Sequence, residues 1–300
     1  VVVIGGINMD SLARITGDTI LGTSNPGSTV TAPGGVGRNV AENLSRLGSP
    51  VRLIGTIGHD HTGDLLLDGL ARAGVDTSGI TRLPGVATGT YTAILHRTGD
   101  LGVGVADMAA TDSITPDQIE AAHLADASWL VLDGNLQPDT VAHCLRLAAE
   151  AGVPVVLDPV GVAKAARLSP VRGLHTFTPN EPELAAWSGS KDAGTAITTA
   201  HAHGIGVVWV RAGAEGSTLH RAGLEPLAVR LPPAQVTDVT GAGDAMLGAY
   251  VHRLRAGASI EDAARFAAAA AWLTVASPYA VRPDLTEALV ATTLEELRPS

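Results

Sequence analysis

The stretch Asp238-Val239-Thr240-Gly241-Ala242-Gly243-Asp244-Ala245-Met246 leaves a loop through two glycines and runs at once into a helix-forming segment, Ala245-Met246-Leu247-Gly248-Ala249-Tyr250. Gly-Ala-Gly permits a tight turn. The N–H groups of Gly241, Ala242 and Gly243 would then point into one small space at a helix N-terminus, an anion site made of donors and dipole that needs no lysine. Asp244, in the first helical turn, suits a base that accepts a hydroxyl proton while a phosphoryl group transfers. It suits a helix cap over an ordinary glycine turn equally well, and spacing alone leaves both readings open.

Outward from this turn, short apolar runs alternate with helical patterns. Val1 to Ile4, Val51 to Ile54, Trp129 to Leu132, Val153 to Leu157 and Gly206 to Val210 read as buried parallel strands. Val36 to Leu47, Gly63 to Ala73, Pro116 to Ala125, Thr140 to Ala151, Glu181 to Ser188 and the region Gly243 to Thr274 read as helical. The alternation predicts an α/β fold, a doubly wound, mostly parallel sheet with helices on both faces. Residues 11–32 and 88–105, rich in Gly, Thr and β-branched residues, break the pattern and read as two antiparallel strand pairs. Together they would form a small sheet projecting from the main one. With no interdomain linker and no internal repeat, residues 1–300 read as one domain carrying that small sheet.

Polar residues gather where the parallel strands should end, which is where α/β sheets bind ligands. Gly5-Gly6-Ile7-Asn8-Met9-Asp10 follows the first strand. It lacks the glycine spacing of a dinucleotide turn, and Asn8 and Asp10 suit either an Asx turn or a grip on a polyol. Pro33-Gly34-Gly35-Val36-Gly37-Arg38-Asn39 opens a helix whose apolar stripe is Val36, Val40, Leu44 and Leu47. Gly34 and Gly35 would let a ligand approach the backbone, and Asn39 offers both a donor and an acceptor. Asp133-Gly134-Asn135, Asp158-Pro159 and Arg211-Ala212-Gly213 close other strands. Asn180 and Glu183, three apart, could cap a helix or hold waters around a nucleotide-bound magnesium ion.

Composition narrows the function. Twenty basic against thirty acidic residues give a net charge of −10, and 3% aromatic residues leave few stacking platforms, which argues against a nucleic-acid polymer as partner. Only Lys164 and Lys191 are lysines and neither follows a glycine-rich phosphate loop, so a Walker-type site is excluded. His59/His61 and His201/His203 lack zinc-site spacing, and no Gly-x-Ser-x-Gly elbow is present. The single Cys144 falls in an apolar helical pattern and reads as a buried, inert thiol. No charged-then-apolar leader precedes the first strand and no apolar run is long enough to span a bilayer. The expectation is a cytoplasmic protein without a membrane partner.

These segments resemble the ribokinase-like (PfkB) family of sugar and nucleoside kinases over nearly the whole chain. The resemblance rests on Gly34 to Leu47, Gly58-His59-Asp60-x-x-Gly63, Gly74-Val75-Asp76, Asp158-Pro159, Asn180-x-x-Glu183, Gly213-x-x-Gly216 and Asp238 to Asp244. It implies ATP as phosphoryl donor, with Asp244 as catalytic base and Gly241, Ala242 and Gly243 as the anion hole. Asn8, Asp10, Gly34, Gly35 and Asn39 would hold the acceptor's hydroxyls. Asn180, Arg211, Gly213 and Gly216 would lie along the nucleotide, with Glu183 ordering the water shell of Mg2+. Asp238 and Thr240 match positions near a monovalent-cation (K+) site of some members. Residues 11–32 and 88–105 would be a β lid that closes over the acceptor and forms a homodimer interface in many relatives. Arg211 departs from the family pattern, standing where many relatives carry Thr.

Within the family, Ser24-Asn25-Pro26-Gly27, Pro33 to Asn39, Asp107-Met108 and Val239 to Met246 look most like the pseudouridine kinases. That likeness implies transfer to the 5′-hydroxyl of pseudouridine, with Asn25, Asp107 and Asn135 near the nucleoside. Ribose, uridine, adenosine or a fructose phosphate is the alternative acceptor. A non-catalytic sensor on the same fold is the alternative of another class, one that would not need Asp244.

Overall fold

Val2, Val3 and Ile4 have no polar side chain to leave in water, and all three are buried at the centre of the main sheet as β1 (Val2–Ile4). The computed structural model describes residues 1–168 and 170–297. After β1 the chain makes β2 (Asn8–Ile15), β3 (Gly27–Gly34), α1 (Val36–Arg46), β4 (Arg52–Gly58), α2 (His61–Arg72) and β5 (Asp76–Leu83). There follow β6 (Gly89–Leu95), β7 (Leu101–Asp107), α3 (Ala109–Asp112), β8 (Leu130–Asp133), α4 (Pro138–Ala151), β9 (Val155–Asp158) and α5 (Val162–Arg167). The remainder is β10 (Thr176–Phe177), α6 (Glu181–Ser188), α7 (Ala193–Ala202), β11 (Val207–Arg211), β12 (Ser217–Arg221), β13 (Leu227–Val229), α8 (Ala242–Arg255), α9 (Ile260–Val275) and α10 (Glu287–Glu296).

The main sheet has the order β13-β12-β11-β10-β9-β8-β1-β4-β5. The run from β11 to β5 is parallel, and β12 and β13 add an antiparallel edge. One apolar cluster joins α1, α2, α8 and α9 to one face, through Leu44, Leu66, Leu247 and Ala267. A second, with Cys144, Leu184 and Trp187, covers the other face with α4 to α7. This is the ribokinase-like α/β architecture. Burial pushes the Cys144 thiol up to about 12, so it stays protonated and unreactive. No described helix is long and apolar enough to cross a membrane.

The second sheet has the order β3-β2-β6-β7. Its two hairpins are antiparallel within themselves, but β2 and β6 join them in parallel. The sheet leaves the main body where β1 ends. Asp60 anchors its second hairpin: the carboxylate caps α2 through Gly63 N (2.8 Å) and also accepts Thr88 N (2.7 Å) and Thr88 Oγ1 (2.6 Å), immediately before β6.

Two helical expectations are corrected. Residues 116–125 form two 3-10 turns, Pro116–Gln118 and Ala121–Leu124, separated by extended Ile119. Ile119 and Leu124, the buried pair, are five residues apart, a spacing no single helical face provides. Side chains instead satisfy the backbone locally, Gln118 accepting from Thr115 N and His123 from Glu120 N. The region 243–274 is two helices, because Gly257 at φ +82° turns the chain and Ser259 caps α9.

Candidate active site

Strand order reverses between β1 and β8: the chain first moves from β1 through β4 to β5, then from β8 through β9 and β10 to β11. Ligands of doubly wound sheets bind at the carboxyl ends of strands flanking such a reversal. Here Asp133, the last residue of β8, is buried and accepts Gly6 N at 2.8 Å and Gly37 N at 2.9 Å. Helix α1 has no side-chain cap of its own. Asp133 therefore ties the end of β1 to the α1 start across the reversal. Burial raises its carboxyl despite these backbone donors. Gly35 turns into α1 at φ +93°, where a Cβ would stand 2.4 Å from Gly6 O.

At the opposite wall α8 begins on Gly241, at φ +78°, with Asp244 in its first turn. Asn39 Nδ2 donates to Asp244 Oδ2 at 2.6 Å, across 205 residues. Arg38 fixes the amide's orientation by donating from Nη2 to Asn39 Oδ1. The buried Arg38 is itself held by Gly34 O, Pro33 O and Glu42. Burial pushes the Asp244 carboxyl up to about 7; the charge of Asp158 adds to the rise, while Asn39, Arg211 and Arg38 oppose it. A carboxyl with that pKa, at a helix start beside backbone donors, can accept a hydroxyl proton near neutrality.

Arg211 ends β11 beside Asp244. Its guanidinium pairs with Asp158 Oδ2 (2.9 Å) and Glu183 Oε2 (3.3 Å). Although burial opposes it, the carboxylates of Asp158, Glu183 and Asp244 hold the guanidinium above its usual pKa. Asn180 caps α6 by accepting Glu183 N, and Glu183 returns the bond by accepting Asn180 N, so both proposed roles of this pair rest on one capping box. Gly213 and Gly216 bound the turn after β11, where Ala212 N donates to Gly216 O at 2.9 Å.

The root of the second sheet brings together some of the residues expected to hold the acceptor, and separates one. Asn8 pairs with Gly34 on β3 and with Gly89 on β6, whereas Asp107, paired with Thr90, lies on the face of Val103 and Val105, opposite Asn8 and Asp10. Asn8 Nδ2 donates to Asp10 Oδ1 at 2.6 Å, and burial raises the Asp10 carboxyl. Asn135, two residues past Asp133, accepts from Lys164 Nζ, while Arg167 Nη2 donates to the carbonyls of Gly134, Asn135 and Leu136. Asn25 is not among them. It lies beyond Ile15 and Gly27 at the far end of the hairpin, and Ile15 alone is roughly 17 Å along the strand from Asp10. Its amide is used up on Ile20 N, Ile20 O and Thr23 O, which shape its own loop.

Among the described residues no group of three or more His, Cys, Asp or Glu side chains could hold a metal ion. Magnesium needs less when phosphates and water fill most of its shell, and the carboxylates of Asp158 and Glu183 are hard donors of that kind. Asp238 accepts from Thr240 N (2.9 Å) and Thr240 Oγ1 (2.8 Å) in a local turn. The sequence marked Asp133 and Asp158 as carboxylates closing buried apolar strands at the ligand end of the sheet but assigned neither a role of its own; for Arg38 and Lys164 it carried no signal.

The family profile described as "pfkB family carbohydrate kinase" matches residues 1–287. A pseudouridine kinase of Escherichia coli is 31% identical over 98% of this chain and 96% of its own length. An uncharacterized sugar kinase YeiI of the same organism is 32% identical over 95% of this chain and 80% of its own. Among solved structures, the Arabidopsis thaliana ribokinase complexed with ribose and ATP superposes with a TM-score of 0.84, at 26% identity over 98% of each chain.

Proposed function

The chain belongs to the pfkB family of carbohydrate kinases and is an ATP-dependent phosphotransferase acting on a sugar or nucleoside; from that premise we propose that its acceptor is pseudouridine, phosphorylated at the 5′-hydroxyl. The observation that carries the kinase site is the Asn39–Asp244 contact at the glycine turn of α8. Asp244 takes the hydroxyl proton, and the N–H groups of Gly241, Ala242 and Gly243 receive the charge of the moving phosphoryl group. Asp10, Asn8, Gly34, Gly35 and Asn39 position the ribose. Asn135 with Lys164, beside β8, supplies polar partners for a ring that offers both donors and acceptors. The nucleotide lies over Asn180, Arg211, Gly213 and Gly216. Magnesium, when bound with the nucleotide, neutralises phosphate charge, and Asp158 and Glu183 would meet its waters. Asp238 and Thr240 offer oxygens to a potassium ion.

Likeness to the E. coli pseudouridine kinase over nearly the full length of both chains supports the acceptor assignment. The test is ADP release with pseudouridine, uridine, adenosine, ribose and a fructose phosphate, each in potassium and in sodium buffer. We expect pseudouridine to exceed uridine by at least about tenfold in kcat/KM, the scale of one buried polar contact. Equal turnover of the two would remove the narrow assignment. Ribose as the best acceptor would favour the reading suggested by the ribose-bound neighbour.

The second sheet is read as a lid and as the contact between two copies of the chain. Ile94, Val103 and Val105 share its face opposite Asp10 and are 39%, 54% and 59% exposed, an apolar row that a second copy would cover. Val103→Asp is expected to convert a dimer to a monomer in light scattering; an unchanged mass would place the interface elsewhere.

A further inference from the structure

Arg211 Nη1 stands 2.7 Å from the point a Cβ on Gly243 would occupy, so the guanidinium rests directly on the first turn of α8. A helix start carries partial positive charge. Two positive surfaces in contact repel, and an anion that bridges them relieves the repulsion.

The grip that now holds Arg211 is uneven on its own side and firm on the other. Nη1 lies 2.9 Å from Asp158 Oδ2, but Nη2 is stretched between Asp158 Oδ1 and Glu183 Oε2 at 3.3 Å each, and Nε is buried without a partner among the described residues. The carboxylates have anchors of their own: Val160 N (2.7 Å) and Thr178 Oγ1 (3.2 Å) for Asp158, and Asn180 N (2.8 Å) for Glu183. None of these anchors depends on the guanidinium. Arg211 also faces Asp244, whose charge it feels.

Resting on the kinase reading, we propose that Arg211 is a catalytic residue that exchanges Asp158 and Glu183 for oxygens of the transferring phosphoryl group. The acceptor oxygen forms its bond to the γ-phosphorus while the bond from that phosphorus to the β,γ-bridging oxygen breaks. The bond's electron pair leaves on ADP and the acceptor's proton passes to Asp244. Arg211 and the Gly241–Gly243 amides share the equatorial charge, so a chain with two lysines supplies a mobile cation by other means. Asp158 and Glu183 become free for the waters of the nucleotide's magnesium ion.

Arg211→Lys keeps the charge that pairs with both carboxylates and loses the fork; Arg211→Gln loses both. The proposal expects kcat to fall about 100-fold in the lysine variant and about 1,000-fold in the glutamine variant. The acceptor KM should stay within about threefold, and the lysine variant's Tm within about 3 °C. Calorimetry should show the wild type binding ATP more tightly than ADP, a preference lost in both variants. This readout needs no acceptor. If Arg211→Lys keeps kcat and the ATP preference, Arg211 is only a structural ion pair and the proposal fails. If either variant gains activity, Arg211 is a plug and the proposal fails. A wild type that prefers ATP but phosphorylates nothing in the panel overturns the acceptor assignment and leaves the Arg211 contact to the γ-phosphoryl group standing; one that binds neither nucleotide overturns both.

Discussion

Asp244→Asn is expected to fold, bind ATP and lose about three orders of magnitude in kcat, the scale of a positioned general base. The amide oxygen still accepts from Asn39 Nδ2, so the 2.6 Å contact survives while the capacity to take a proton does not. With the wild-type carboxyl raised to about 7, kcat/KM should rise tenfold per pH unit up to about 7 and level above it. The variant's residual rate should show no such step. Stability gives an independent sign. The folded carboxyl keeps its proton up to about 7, whereas an unfolded aspartate releases it near about 4. The folded state therefore binds the extra proton in that window. The contribution is fully present below about 4 and is lost as pH rises through about 7. At pH 8 the asparagine variant escapes that loss and should exceed wild type by on the order of 4 kcal/mol in urea unfolding, with little difference at pH 4. A variant within tenfold of wild-type turnover would remove Asp244 from the base role.

The same residue shows how far local sequence carries the fold. Asp244, its glycine turn and the Val36 stripe of α1 are local patterns, and the chain spells them in consecutive residues. Buried strands such as Leu130–Asp133 were legible because four consecutive positions are buried and three of them are apolar. Strand β10 has two residues, too few for any period, and β12 alternates Thr218 and His220 with one apolar position, so neither stood out. What no local pattern encodes is register. Which strand ends meet decides that Asp133 reaches Gly37 across 96 residues, and that Arg211 reaches Asp158 across 53. Sequence could place Asn39 and Asp244 each in a ligand site. Only the packing of α1 against α8 makes one the hydrogen-bond donor of the other.

Gly241→Ala, by contrast, should damage fold and chemistry together, and a second glycine separates the causes. Gly241 and Gly257 have nearly the same left-handed backbone, at φ +78° and +82°. An alanine at either pays about 1 kcal/mol for that conformation. At Gly257 none of the described residues lies within 4 Å of the new methyl, so the cost ends there. At Gly241 the methyl would stand 2.0 Å from Ala280 O and 2.7 Å from Ala280 Cα, backbone that cannot swing aside as a side chain does. Either the 280 loop or the start of α8 must move, and moving α8 turns the amides of 241–243 away from the phosphoryl group. Losing one such donor costs a hundredfold or more, so kcat should fall about 100-fold. Tm should drop by about 6 °C if the clash brings the total near 3 kcal/mol. Gly257→Ala should lose about 2 °C and keep full turnover. If Gly241→Ala lost stability but kept its rate, the helix start would be a structural turn, and the charge of the moving phosphoryl group would have to be met elsewhere.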